Sequence, residues 1–302
     1  MSMKFDGVLF FPVTPFDDHS RVVPELITEQ IRSRLEHGPG GIFAACGTGE
    51  FHALSVAEVG QVVAATVAAA GGKVPVISGA GGPLGHAIDC ARAAQDAGAD
   101  GLLLLPPYLV NAPVAGLINY VETVAAATEL PIIVYHRANA KFTAAAMARL
   151  AANPKVIGFK DGVGDLAEAQ RIVLAVHAAG RTDFQFFNGL LTAELSQAAY
   201  RAVGIPLYSS AVFAMAPKIA TAFYTALAEG DEPRRLELLT GFYEPLVALR
   251  DRVPGYAVSL IKAGVVDGGL AAGGVRPPLV DPTAEDLARL REILARGHEL
   301  VG

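Results

Sequence analysis

The chain has 302 residues, with 24 basic against 30 acidic side chains and a formal net charge of −6. That mildly acidic balance excludes the basic stripe of a general nucleic-acid binder. Mean hydropathy is +0.39, but alanine carries much of it, and the apolar runs break well before the roughly 18 residues that span a bilayer.

The elements follow in chain order. Met1 to Phe11 lacks a basic segment followed by an apolar stretch and a small-residue cleavage site, so no secretory leader is expected. Strands are expected over Val8–Val13, Gly41–Cys46, Val74–Ser78, Gly101–Leu105, Ile132–His136, Val156–Lys160, Phe184–Phe187 and Leu207–Val212. Most are nearly continuous apolar runs, as parallel strands buried on both faces require. Helical patterns lie between them. Leu166, Ala169, Val173 and Val176 repeat at helical spacing, as do Ile219, Phe223 and Leu227.

Eight strand–helix units at intervals of roughly 25–35 residues point to an α/β fold, a (β/α)8 TIM barrel. The barrel is expected to occupy residues 1–230 and to be catalytic. Residues 231–302 read as a three-helix extension packed on it: Glu232–Arg250, Gly255–Val266, and Thr283–Arg296 with Asp281 as N-cap and Pro282 at the first helical position. Cys46 and Cys90 are far apart and form no CxxC pair, which favours two reduced thiols in a cytoplasmic protein over a disulfide.

Barrel chemistry sits at the C-terminal ends of the strands. Lys160 ends the apolar strand Val156–Phe159, one of only seven lysines in the chain. A desolvated amine at such a place can attack a carbonyl and form a Schiff base. The alternative is a strand-end lysine paired with Asp161. Tyr135 ends the preceding strand, where a phenol could relay protons to a lysine adduct or simply pack in the core. After the second strand, Cys46-Gly47-Thr48-Gly49-Glu50 could offer backbone amides to a carboxylate, or be a plain turn with Thr48 or Ser55 capping the next helix. Arg137 suits bidentate carboxylate recognition or a surface ion pair. Asn188 closes the seventh strand, and either Ser209 or Ser210 in the eighth must face the barrel axis.

Other chemistries lack their patterns. The seven histidines form no HxH or HExxH pair, so no metal site is expected. There is no GxSxG elbow and no P-loop. Gly79-Ala80-Gly81-Gly82 lacks the spacing of a nucleotide-binding turn.

Taken together, these residues resemble the class I aldolase group that contains dihydrodipicolinate synthase and N-acetylneuraminate lyase. The turn after strand two, Pro106-Pro107-Tyr108 after strand four, Tyr135 and Lys160 carry the resemblance, which spans the whole chain. Within the group the strings are most similar to the 5-dehydro-4-deoxyglucarate dehydratases. Those strings are Gly49-Glu50-Phe51, Leu105 to Leu109, Arg137-Ala138-Asn139, Gly158 to Gly162, Tyr208 to Phe213 and Val275 to Pro278.

The resemblance implies Lys160 as the Schiff-base lysine and Tyr135 as the proton relay, with no metal or organic cofactor. It implies Gly47 and Thr48 as holders of the carboxylate beside the keto carbon. Arg137, Asn188, Ser209 and Tyr108 complete the expected substrate site, with Arg137 toward the far carboxylate of a keto sugar diacid. It also implies a homotetramer built as a dimer of dimers. Leu109 stands where the synthases carry a second tyrosine, and Ala140 where they carry a carboxylate-binding arginine, which argues against dihydrodipicolinate synthesis. His136 and Ala214 replace asparagines expected in the dehydratases and could retune the pocket. The competing readings are a pyruvate-dependent aldolase or synthase on the same fold, and a non-catalytic barrel that binds a sugar acid.

Overall fold

The computed structural model describes residues 3–302. Eight parallel strands close into a barrel in chain order, with β1 (Leu9–Phe10) pairing both β2 (Gly41–Ala44) and β8 (Leu207–Ser210). Between them run β3 (Val76–Ala80), β4 (Gly101–Leu104), β5 (Ile132–His136), β6 (Val156–Asp161) and β7 (Gln185–Asn188).

Side-chain alternation sorts the strand residues into two cores. Leu9, Phe11, Phe43, Ile77, Leu103, Ile133 and Phe187 fill the barrel axis, where the Phe11 and Phe43 rings stack at 4.6 Å. Their neighbours, such as Phe10, Ile42, Leu102 and Val134, point outward into a larger core beneath the helices. The axis is therefore a packed floor beneath the mouth of the barrel.

The outer ring comprises α1 (Pro24–Leu35), α2 (Val56–Ala70), α3 (Leu84–Asp96), α4 (Val114–Ala126), α5 (Ala144–Ala151), α6 (Leu166–Ala178) and the short α7 (Gln197–Ala202). After β8 come α8 (Val212–Met215) and α9 (Pro217–Glu229). Ser55 caps α2 in a reciprocal capping box with Glu58, which fixes where the chain leaves the turn after β2.

The extension contains α10 (Glu232–Leu238), α11 (Glu244–Arg250), α12 (Tyr256–Asp267) and α13 (Ala284–Val301). A π-helical turn, Leu239–Tyr243, joins the first two, so the expected helix over 232–250 runs through with one widened turn.

Several expected boundaries shift. The third strand runs to Ala80 because Gly79 lets the Ala45 carbonyl approach to where a Cβ would stand only 2.2 Å away. The eighth strand stops at Ser210, and Val212 begins α8 instead of ending the strand. Thr283, not Asp281, caps the last helix by accepting the Asp286 amide at 3.1 Å. The Asp281 carboxylate instead accepts the Val275 amide at 2.9 Å, bracing the preceding loop. Both cysteines are free and buried, and burial pushes each thiol up to about 12. Among the described residues no helix is long and apolar enough to cross a membrane.

Candidate active site

A cavity of about 340 Å³ opens at the C-terminal ends of the strands, within the size range of small-molecule sites. Lys160, Tyr135, Gly47, Thr48, Arg137 and Ser209 all line it. They come from the ends of four different strands, β2, β5, β6 and β8, so only barrel closure brings them together.

Lys160 is 4% exposed and lies level with Tyr135 in the β5–β6 register. Its Nζ sits 4.0 Å from the Tyr135 ring centroid and 5.0 Å from that of Phe11. Pairing with Asp161 does not occur, because successive strand residues face opposite ways. Asp161 points out of the barrel, accepting the Val163 amide at 3.0 Å, the Gly164 amide at 3.2 Å and the Tyr200 hydroxyl. Among the described residues the Lys160 ammonium has aromatic faces and open cavity around it, and no carboxylate partner.

The Tyr135 hydroxyl donates to the Gly189 carbonyl at 2.7 Å and accepts from Arg137 Nη1 at 2.9 Å. Gly189 must be glycine, since a Cβ there would stand 2.8 Å from Lys160 Cγ and 2.9 Å from Tyr135 Cε2. The phenol is thus fixed beside the amine, with its donor and acceptor roles set by its neighbours.

Arg137 opens a two-residue turn in which Ala138 takes a left-handed φ of 52° and Ala140 returns a backbone bridge. Asn139 of the same turn donates to the Pro107 and Val110 carbonyls at 3.0 and 2.7 Å. The Arg-Ala-Asn string therefore couples the cavity wall to the loop after β4.

The turn after β2 is built under constraint. Ala45 and Glu50 flank it with φ of 48° and 58°, both non-glycine residues in the left-handed region. Thr14 Oγ1 donates to the Gly49 carbonyl at 2.7 Å, and the Glu50 amide closes onto the Gly47 carbonyl at 3.1 Å. Gly47 has open space where a Cβ would be, so its backbone is approachable.

Some expected residues stand elsewhere. Asn188 is fully buried and faces outward; its Nδ2 serves Ala193, Ser196 and Gln197, and its Oδ1 accepts the Leu190 amide. It does not line the cavity, because Phe187 takes the axial position on β7. Tyr108 is 63% exposed on the loop after β4 and also lies outside the lining. His136 points away from the axis, its Nδ1 accepting the Phe142 amide at 2.9 Å; burial lowers its pKa, opposed by the nearby Asp161. Ala214 is buried in α8. Neither of these two residues can retune the pocket by contact. Ser209, rather than Ser210, faces the axis, while Ser210 turns outward to Glu194 at 2.6 Å.

The extension contributes a wall that the strand-end rule does not reach: Leu246, Arg250 and the first turns of α12. Arg250 Nη1 donates to Thr192 Oγ1 at 2.8 Å, where Thr192 itself has a φ of 50° at the cavity edge. In the sequence Arg250 is only a cation in a last helical turn, which needs no site to explain it. Among the described residues, no three His, Cys, Asp or Glu side chains gather where they could hold a metal ion.

Comparison with known proteins agrees with this fold. The model of the dihydrodipicolinate synthetase family matches residues 4–296. A probable 5-dehydro-4-deoxyglucarate dehydratase of Streptomyces griseus is 52% identical over 297 residues, covering 98% of this chain and 92% of that one. A probable 5-dehydro-4-deoxyglucarate dehydratase 1 of Streptomyces avermitilis is 50% identical over 295 residues, with 98% and 94% covered. Among solved structures, dihydrodipicolinate synthase from Oceanobacillus iheyensis superposes with a TM-score of 0.89 at 24% identity, over 98% of this chain and 97% of that one. With a closed eight-stranded barrel, a lysine and tyrosine at adjacent strand ends, and a family match across nearly its whole length, the chain belongs to the dihydrodipicolinate synthetase family.

Proposed function

We propose that the chain is a lyase that dehydrates and decarboxylates 5-dehydro-4-deoxy-D-glucarate to 2,5-dioxopentanoate, carbon dioxide and water. The full-length relatives named for that dehydration carry the substrate assignment. The unpaired Lys160 amine beside the Tyr135 phenol carries the chemistry.

In this reading Lys160 Nζ attacks the ketone, and water leaves as the iminium forms. The iminium acidifies the adjacent methylene, and removal of its proton gives an enamine. The enamine electrons expel the hydroxyl two carbons from the ketone, with Tyr135 moving protons between carbon, oxygen and cavity. What remains is a conjugated iminium. When the far carboxylate departs as carbon dioxide, the released electron pair flows through the conjugated chain to nitrogen. Reprotonation at carbon, tautomerisation of the terminal enol to the aldehyde, and hydrolysis then return the free lysine.

Two negative charges need two holders. The Gly47 and Thr48 backbone receives the carboxylate beside the ketone, and Arg137 faces the far one. Arg137 also donates to the phenol, so it can steer the departing carboxylate without clamping a group that has to leave. Ser209 at the axis suits a substrate hydroxyl. The exposed run Tyr108, Leu109 and Val110 supports a homo-oligomer, read here as a tetramer. Two free thiols support a cytoplasmic setting.

The test is turnover of 5-dehydro-4-deoxyglucarate by the purified protein, measuring carbon dioxide and the semialdehyde together, with Lys160→Ala as control. Equal amounts of both products and an inert control are expected. If neither product forms, but borohydride with pyruvate adds mass at Lys160, an aldolase takes the place of this reading.

A further inference from the structure

The turn that receives the keto-acid carboxylate is tied to the far end of the chain by a buried ion pair. Lys262 on α12 donates from Nζ to Glu50 Oε1 at 2.7 Å, and the two side chains are 1% and 0% exposed. The second carboxylate oxygen accepts the Arg276 amide at 2.8 Å. The Arg276 guanidinium in turn bonds Glu58 and the Ala53 carbonyl, both just beyond the turn. Lys262 Nζ and Arg276 Cζ each lie 4.0 Å from the Phe16 ring centroid. Phe16 follows Thr14, whose hydroxyl grips Gly49. Burying a charge pair this completely is costly, and replacing it with apolar packing commonly costs little stability. Its location points to a purpose other than stability: Glu50 is the left-handed residue that closes the Gly47–Thr48 turn.

We propose that Lys262 is a positioning residue which, through Glu50, fixes the Gly47–Thr48 backbone in the conformation that receives the carboxylate beside the substrate's keto carbon. The extension is then part of the catalytic unit and not an appendage to it. The inference rests on the carboxylate role proposed above for that turn.

The test separates carboxylate recognition from lysine reactivity. Lys160 forms an iminium with a carbonyl compound, losing water, and borohydride delivers hydride to that carbon, leaving a secondary amine read as added mass. Pyruvate carries the carboxylate; acetone does not. In Lys262→Met and in the double variant Glu50→Gln with Lys262→Met, trapping by pyruvate should slow by about tenfold or more, the scale of a lost charge-assisted contact. Trapping by acetone should stay within about twofold, since the amine's surroundings are untouched. In turnover, KM should rise more than kcat falls, and Lys262→Arg should restore much of the loss.

The double variant leaves no unpaired buried charge, so it carries the test if the single variant does not fold. Equal slowing with both probes, or no slowing in folded variants, overturns the proposal. So does failure of the double variant to fold, because the pair would then determine folding rather than position. Should the wild-type protein trap pyruvate yet ignore the glucarate-derived substrate, the substrate assignment fails while this proposal is still decided.

Discussion

Two lysines are buried among the described residues, and they differ in one respect. Lys160 and Lys262 are 4% and 1% exposed, and each ammonium rests 4.0 Å from the centroid of an aromatic ring. Lys262 also has Glu50 at 2.7 Å. Lys160 has an open cavity instead. A lysine held by a carboxylate is spent on position, because its nitrogen is covered and its charge is required by the partner. A lysine surrounded by π faces and free space can turn its lone pair to a carbonyl. Burial alone would not tell a nucleophilic lysine from a positioning one; the presence or absence of a carboxylate partner would.

The comparison sharpens first at the group beside each amine. Tyr135→Phe keeps the ring over Lys160 Nζ and removes only the hydroxyl bonded to Gly189 and Arg137. If that phenol relays protons, kcat should fall by roughly 10²–10⁴-fold. Borohydride trapping of Lys160 should persist, since the amine is intact. A kcat within a few-fold of wild type, read in the carbon dioxide assay, would remove Tyr135 from the mechanism.

Stability should divide the two lysines in the opposite sense. Lys262→Met strands the Glu50 carboxylate in the interior, a change that costs about 3–5 kcal/mol. Lys160→Met removes an ammonium that has no carboxylate partner to strand, so denaturant unfolding should show it neutral or stabilising, the usual trade at a functional position. Equal losses in both variants would break the distinction drawn between them.

Much of this was legible because a strand alternates with period two. Placing Lys160 and Tyr135 at adjacent strand ends, and one serine of the Ser209–Ser210 pair on the axis, needed only the apolar runs. The same alternation explains where the reading failed. Asn188 and His136 sit one position beyond the axial residues Phe187 and Tyr135, and one step is enough to turn a side chain out of the barrel. Tyr108 misled for another reason: its loop leaves the strand, so no periodicity governs its direction. The extension was legible as helices but not as a cavity wall. Glu50 and Lys262 are 212 positions apart, and no local pattern reports a contact of that range.

Glu194 supplies a third case: it lines the cavity as Lys160 does, but it is a carboxyl with no cation beside it among the described residues. One oxygen accepts from Ser210 at 2.6 Å; the other is buried with no protein partner. The phenols of Tyr208 and Tyr243 lie near it, both also unpartnered, and burial followed by the Glu194 charge pushes both well up. Desolvation, opposed by the Ser210 hydrogen bond, pushes the Glu194 carboxyl up to about 7. Between about pH 4.5 and 7 the folded chain therefore keeps a proton that the unfolded chain releases, so this group's contribution to stability falls as pH rises through that window. Above the window the loss is complete and amounts to roughly 3 kcal/mol. Glu194→Gln keeps an acceptor for Ser210 and cannot ionise. Its unfolding free energy, compared with wild type at pH 5 and pH 8, should show the variant gaining relative stability at the higher pH. If the two proteins keep the same difference at both, Glu194 is ionised throughout, and a buried carboxylate in this fold needs no cation to hold it.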